Sequence, residues 1–266
     1  MAITLPSQIS LYTMQLTIVI PTYNEVENLP KIVAALFELP ISDLRVLIVD
    51  DGSPDGTGEL ADDLAGQYSP RLAVIRRAGK QGLGTAYIQG FQQALNDGAE
   101  YVVQMDADFS HPPQKILEFS GAIRHCDVVL GSRYVPGGKL DEAWPLWRRA
   151  LSSFGNYYAR SILGMPVLDV TGGFRMWRRE TLMCMPLERV RSNGYAFQIE
   201  MIYIAHQLGR KIEEVPIYFA DRYLGESKMS FRIQLEAAFR VWQIRNAYRD
   251  LAPDVEPMSI INDLSS

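Results

Sequence analysis

The chain predicts an α/β protein built on a doubly wound, mostly parallel sheet, with a helical region toward its C-terminus. Three observations carry that prediction. Five short β-rich runs recur through the first half, and they are mostly apolar rather than alternating, as strands covered on both faces are. Segments with helical periodicity separate them, so strand and helix alternate as a parallel sheet requires. With 266 residues and 47% apolar content, the chain can fill one sizeable core.

The first run, QLTIVI (15–20), leads into PTYNEVENLP (21–30), where Asn24 and Glu25 open the helix NLPKIVAALFEL. Exposed N–H groups at a helix start suit an anion or a ribose edge, although the same residues also serve as a cap with first-turn acids. The second run, RVLIVD (45–50), ends on Asp50 and Asp51 in VDDGSPDGTGE, ahead of the helix DGTGELADDLAGQY. Each acidic loop alone reads equally well as a turn. Together they put hydrogen-bond acceptors along one sheet edge, where a nucleoside needs them. The third run, RLAVIR (71–76), precedes GKQGLGTA (79–86), which fits neither common phosphate-loop spacing and reads as a flexible loop before the helix TAYIQGFQQALNDG.

The fourth run, YVVQM (101–105), continues directly into DADFSHPP. In extended backbone, residues i and i+2 project to one side, so Asp106 and Asp108 repel each other unless a cation sits between them. His-Pro-Pro then ends the strand, which places the acids at a carboxyl edge, where open α/β sheets bind ligands. The small Ala107 leaves room for a ligand. Hard carboxylate oxygens suit Mg²⁺ or Mn²⁺ bridging a diphosphate, and a plain acidic turn is the competing reading. After PPQKILEFSGAIR comes the fifth run, DVVLG (127–131), and GSRYVPGG then puts Arg133 at the strand end.

Beyond Gly131 the alternation breaks. A Gly- and Trp-rich loop leads into a helix over about 148–163 that starts with Arg148 and Arg149, a poor dipole position for cations unless an anion lies near. DVTGGFRMWRR carries Asp169, Thr171, Phe174 and Arg175. A late strand, KIEEVPIYFAD, is followed by a polar loop (221–230) whose Arg222 and Lys228 could close over a ligand, then by a helix of roughly twenty residues from position 230. At about 100° per residue that helix splits its apolar side into two arcs: Ile233, Ala237, Val241, Ile244 and Tyr248, and Phe231, Leu235, Ala238 and Trp242. One arc is expected on the domain and the other in a lipid interface or a subunit contact, with Arg245 and Arg249 reaching headgroups in the first case.

A net charge of −5 argues against a nucleic-acid partner. Cys126 and Cys184 lack zinc or redox spacing and read as buried thiols of a reducing compartment. His111, His125 and His206 share no metal spacing and read as non-catalytic. The N-terminus lacks the features of a signal segment, and no run approaches the ~18 apolar residues of a membrane span, so a soluble or peripheral protein on the cytoplasmic side is expected.

In this order, IVIPTYNEVENL, IVDDGSPDGT, GLGTAYIQGF, MDADFSHPP, GSRYVPGG, WRRALSSFGNYYARSILG, DVTGGFRMWRRE, GYAFQIEM and DRYLGESKMS resemble the polyprenyl-phosphate (dolichyl-phosphate) mannose synthases of inverting glycosyltransferase family two, over about 16–232. The resemblance implies a GT-A fold and transfer of mannose from GDP-mannose to a polyprenyl phosphate, giving a β-linked lipid phosphosugar. By the same resemblance, Pro21, Tyr23, Glu25, Val49 and Asp51 hold the nucleoside, and Asp106, Ala107 and Asp108 flank the metal. Arg133, Arg222 and Lys228 match donor-side positions, while Arg148 and Ser152 match positions near the acceptor phosphate. Some relatives carry Gln where this chain has Ser110. The implied division is an extension (1–15), a GT-A domain (16–228), an amphipathic helix (229–251) and a disordered tail (252–266). Some relatives append membrane helices that this chain lacks, so it resembles the soluble type, which is expected to meet the bilayer peripherally or through a small membrane-protein partner. Transfer of glucose from UDP-glucose, or of another sugar, is the enzymatic alternative, and a non-catalytic sugar-nucleotide-binding protein is the alternative of another class.

Overall fold

A computed structural model of the chain describes residues 12–220 and 231–253. In chain order the elements are β1 (Tyr12–Thr22), α1 (Leu29–Phe37), β2 (Ile41–Asp50), α2 (Thr57–Gln67), β3 (Leu72–Arg76), α3 (Leu83–Asn96), β4 (Tyr101–Gln104), α4 (Lys115–Ala122) and β5 (Val128–Ser132). Then come β6 (Lys139–Leu140), α5 (Leu146–Leu163), β7 (Arg175–Arg178), α6 (Arg179–Cys184), α7 (Gly194–Gln207), β8 (Ile212–Pro216), β9 (Tyr218–Phe219) and α8 (Phe231–Ala247). The main sheet has the order β3-β2-β1-β4-β7-β5-β8, and β6 pairs with β9 in a separate small sheet. Among the described residues only β7 runs antiparallel to its neighbours in the main sheet, so the predicted mostly parallel, doubly wound architecture holds.

The unbroken apolar runs follow from a core on each face. Along β1, Leu16, Ile18 and Ile20 face α1, α2 and α4, whereas Val19 faces the layer of α3, α5, α6, α7 and α8; β2 divides in the same way. Alternating burial on opposite faces leaves no polar face to alternate with. Helix α3 lies close on β1 because Gly90 meets Val19, where a Cβ would come within 2.3 Å of Val19 Cγ1.

Several elements differ from the sequence reading. β1 starts at Tyr12, inside the segment read as an extension, and its first residues pair with β2. Helices α6 and α7 and the central strand β7 were not expected as elements. Cys184 is exposed rather than buried, since it ends the short α6 on the surface, while Cys126 is buried, and its thiol pKa is pushed up to about 11, chiefly by burial. Helix α8 docks on α5 and α7 with Val241, Ile244 and Tyr248 buried, as expected of the first arc. Trp242 of the second arc is exposed. The side chains of Phe231, Ile233, Leu235, Ala237 and Ala238 lie outside the described residues, as do Arg222, Lys228 and the tail from 254.

Candidate active site

The cleft is built by a parting of two strands. Register pairs between β1 and β4 end at Val19 and Gln104, whereas those between β1 and β2 continue to Thr22 and Asp50. Crossovers leave in opposite directions on the two sides of this gap, the switch point at which open α/β sheets take ligands. Pro21, Tyr23 and Glu25 lie at the end of β1, each partly exposed. The loop after β1 is knitted to the loop after β2: the Asn24 N–H donates to Ser53 Oγ (3.1 Å), that of Glu25 to Thr57 Oγ1 (2.9 Å) and that of Val26 to Asp55 Oδ2 (3.3 Å). Asp50 is fully buried and accepts from Thr22 Oγ1 (3.2 Å) and Ser53 Oγ (2.6 Å), which makes it a turn former.

Asp51 organises a third loop. It accepts from Arg77 Nη1 (2.6 Å) and from the N–H groups of Gln81 (2.9 Å) and Gly82 (2.8 Å), so the glycine-rich stretch read as flexible is tied beneath the cleft. Gly52, at φ +71, lets that stretch approach, since a Cβ there would stand 2.6 Å from Gly79 Cα. Lys80 then lies 3.7 Å above the Tyr23 ring. Val49 has no exposed side chain and packs in the core facing α3, so any contact with a ligand comes from its backbone. Burial of a β-branched residue in a central strand is the physical reason.

The acid pair follows β4. Asp106 Oδ1 accepts a hydrogen bond from the Tyr87 hydroxyl (2.8 Å), and its backbone N–H donates to His111 Nδ1 (3.0 Å). His111 is buried and stacks on Phe174 with ring centroids 5.0 Å apart; burial lowers its pKa, and the carboxylates of Asp106 and Asp108 only partly oppose that. It is therefore a neutral ring whose acceptor nitrogen holds the acid turn. Phe109, at φ +60, turns the chain immediately after Asp108, so that the Ser110 N–H (3.1 Å) and hydroxyl (2.6 Å) fold back onto Asp108 Oδ1. Ala107 is buried between the two acids. Tyr87 and His111 were missed as site residues because each is ordinary in sequence. Only their approach to Asp106 across the fold gives them a role.

Arg133, at the end of β5, is held by protein partners. Its guanidinium forks onto Asp169, with Nε to Oδ2 at 2.7 Å and Nη2 to Oδ1 at 2.6 Å, and Nη2 also reaches Thr171 Oγ1 at 2.7 Å. The pair is buried, with side-chain exposures of 6% and 0%. Burial acts against the Arg133 charge, but Asp169 outweighs it and the pKa rises. Asn156 Nδ2 donates to the same Thr171 hydroxyl at 3.0 Å, which ties α5 to this stretch. Ser152 takes the Tyr134 hydroxyl at 2.8 Å. Arg148 stacks on Trp144 at 3.6 Å, and Arg149 Nη2 donates to the carbonyls of Asp141 (3.0 Å) and Glu142 (2.5 Å). Their place at a helix start is thus explained without an anion for Arg149. Segment 169–175 is the hub, holding Arg133 through Asp169, α5 through Thr171 and the acid turn through Phe174.

Asp106 and Asp108 offer only hard oxygens, each with one oxygen oriented by a hydroxyl. Among the described residues no third His, Cys, Asp or Glu joins them in a metal-holding group. Cations of the Mg²⁺ type take one or two carboxylates together with substrate phosphates, so this donor set fits such a cation in a ternary complex.

The profile of Glycosyl transferase family 2 matches residues 17–185. The chain belongs to that family. As a family 2 glycosyltransferase it is 46% identical over 229 residues to the undecaprenyl-phosphate mannosyltransferase of Micrococcus luteus, covering 86% of this chain and 93% of the relative. It is 45% identical over 236 residues to the polyprenol monophosphomannose synthase of Mycolicibacterium smegmatis, covering 88% of each. The resemblance drawn from the motifs is therefore borne out. Among solved structures, glucosyl-3-phosphoglycerate synthase from Mycobacterium tuberculosis with UDP aligns at TM-score 0.62 and 18% identity, over 91% of this chain and 82% of that one. The same enzyme with Mn²⁺, UDP and phosphoglyceric acid aligns at TM-score 0.62 and 18% identity, over 91% and 80%. At that identity the likeness establishes the GT-A fold alone.

Proposed function

We propose that this glycosyltransferase moves mannose from GDP-mannose to the phosphate of a polyprenyl (dolichyl) phosphate, with inversion, giving polyprenyl-phosphate β-mannose. One juxtaposition carries the reading. The acid pair at the switch point is joined through the 169–175 hub to α5, whose Arg148 and Ser152 match acceptor-phosphate positions, in a chain whose near full-length relatives are named for mannosyl transfer to such lipids. Pro21, Tyr23 and Glu25 line the nucleoside end, and Asp51 shapes the loop beneath it. Asp106 and Asp108 would hold Mg²⁺ or Mn²⁺, which would supply positive charge to neutralise the departing diphosphate. Arg133 keeps the hub in register, and Arg222 and Lys228, outside the described residues, supply further positive charge on the donor side.

An alcohol acceptor needs a general base, but a phosphate monoester with a second pKa near ~6 is already largely dianionic at neutral pH. His111 could not serve, because its Nδ1 is engaged by the Asp106 N–H and its ring is buried. The remaining task is alignment, with Arg148 and Ser152 placing one phosphate oxygen behind the anomeric carbon. No described helix is long and apolar enough to cross a membrane. The reading has the lipid acceptor met peripherally, on the cytoplasmic face or beside a small membrane-protein partner.

Incubation with Mg²⁺, a short polyprenyl phosphate and a panel of labelled nucleotide sugars tests the reading. The expected result is an acid-labile mannolipid from GDP-mannose alone. A product from UDP-glucose instead would change the donor, and donor binding without any transfer would leave a sugar-nucleotide-binding protein.

A further inference from the structure

The two acids after β4 are not equally furnished. A carboxylate offers about two lone-pair sites on each oxygen. On Asp108 one oxygen is already full, because Oδ1 accepts from both the N–H (3.1 Å) and the hydroxyl (2.6 Å) of Ser110 in the same turn. Asp106 differs. Among the described residues its Oδ1 accepts only from the Tyr87 hydroxyl (2.8 Å), and no donor reaches its Oδ2. Whether Asp106 has one oxygen or two to give a cation therefore turns on a single phenol.

That phenol is held firmly. Tyr87 is fully buried on α3, with its ring 5.8 Å from that of Phe197 and within 2° of parallel, and stacked on Phe91 at 5.7 Å. The start of α3 is seated against the loop before α7: a Cβ on Gly84 would stand 2.5 Å from the Ser192 carbonyl oxygen, and the Gly84 N–H donates to Asn193 Oδ1 (3.3 Å). Cations differ in what they ask of a carboxylate. A small octahedral ion such as Mg²⁺ or Mn²⁺ is served by one oxygen from each acid and completes its shell from phosphates and water, whereas Ca²⁺ gathers more oxygens and readily takes a carboxylate through both. We infer that Tyr87 is a positioning residue that sets the cation preference of the site: by holding Oδ1 it leaves Asp106, like Asp108, no more than one oxygen to give, which suits Mg²⁺ or Mn²⁺ and withholds from Ca²⁺ its second contact. The inference deepens the function proposed above and rests on it only for the presence of a cation at the acid pair.

The test is metal binding to the full chain in the presence of GDP, without turnover. Free Mn²⁺ is followed by its electron paramagnetic resonance signal, and Ca²⁺ by the Mn²⁺ it displaces. Tyr87→Phe keeps the stacked ring and removes the hydroxyl, so Mn²⁺ affinity should fall by about tenfold, the low end for losing a group that orients a metal ligand, while Ca²⁺ affinity holds or rises. A merely structural role would weaken both ions together. Tyr87→p-aminophenylalanine restores a donor and should recover the preference for Mn²⁺. Phe91→Leu loosens the same stack without touching Asp106, so it should lower the melting temperature and leave the preference unchanged. GDP affinity measured in EDTA should be the same for Tyr87→Phe and the wild type. Equal losses for the two ions in Tyr87→Phe, or no loss for either, overturn the inference and leave the proposed function standing; a wild-type chain that binds no Mn²⁺ with GDP overturns the inference together with the cation's part in that function. A preference that responds as described in a chain that makes no mannolipid supports the role of Tyr87 and overturns the transfer reading instead.

Discussion

At the residue scale, the proposed function divides the chemistry between the acids after β4, on the donor side, and the arginines around α5, on the acceptor side. Asp108 keeps one oxygen oriented by Ser110, so Asp108→Asn preserves size and much of that hydrogen bonding while removing a charge that the proposed cation would need. The expected outcome is a loss of roughly 10²–10³ in kcat with an unchanged urea midpoint, and a wild-type rate in the folded variant would remove Asp108 from the site. Arg148→Ala should raise KM for the lipid phosphate by about tenfold or more, the worth of a lost hydrogen bond to a charged group, and leave KM for the nucleotide sugar nearly unmoved. Equal effects on both substrates would undo the division. Asp169→Asn strands the buried Arg133 charge, and breaking a buried ion pair from one side costs about 3–5 kcal/mol. Urea unfolding should register most of that loss, and a shift under about 1 kcal/mol would mean that the pair contributes little.

At the element scale, the fastening of α8 can be followed by pH. Arg189 bonds both oxygens of Asp250 at 2.8 Å and donates to the Ala247 carbonyl at the helix end. The hydrogen bond from Arg189 holds the Asp250 carboxyl at about 2, below its ordinary 3.8. A depressed carboxyl stabilises above its unfolded pKa and ceases to do so as pH falls through the folded one. Hydrogen exchange at the end of α8 should therefore quicken between about pH 4 and about pH 2, with Asp250→Asn removing the transition. The parallel strands and the helices between them were legible because two-sided burial leaves continuous apolar runs and helix faces keep their period. β7 was not legible: RMWR puts arginines at both ends of four residues, and Arg175 is buried, contributing Nη2 to the Val170 carbonyl at 3.3 Å while its pKa is lowered by burial. Helix α7 hid for the opposite reason, since it is buried on nearly every side and shows no amphipathic stripe. For the site, the acids stood out because like charges at i, i+2 ask for a cation. The partnerships Tyr87 with Asp106, Asp169 with Arg133 and His111 with Phe174 join positions far apart or unremarkable in sequence, and no local pattern announces them.

At the scale of the whole molecule, an acidic chain sets its arginine-bearing, acid-free helix beside the edge where two anionic substrates would meet, which gives the fold an electrical polarity that net charge conceals. The strand order has a temporal consequence as well. β5 lies between β7 and β8, both of which come later in the chain, so as it leaves the ribosome it has no neighbour in the sheet, whereas β1, β2, β3 and β4 already form a contiguous block. The acid turn at the end of β4 and Arg133 at the end of β5 thus belong to separate pieces until residues 175–178 slot between them and clamp both. A fragment ending near residue 140 should protect amides of β1 and β2 from exchange but leave those of β5 open, and equal protection would contradict this order. An emerging chain would then hold its nucleotide half in hand well before it could transfer a sugar, which makes catalytic competence a late event in the life of each molecule.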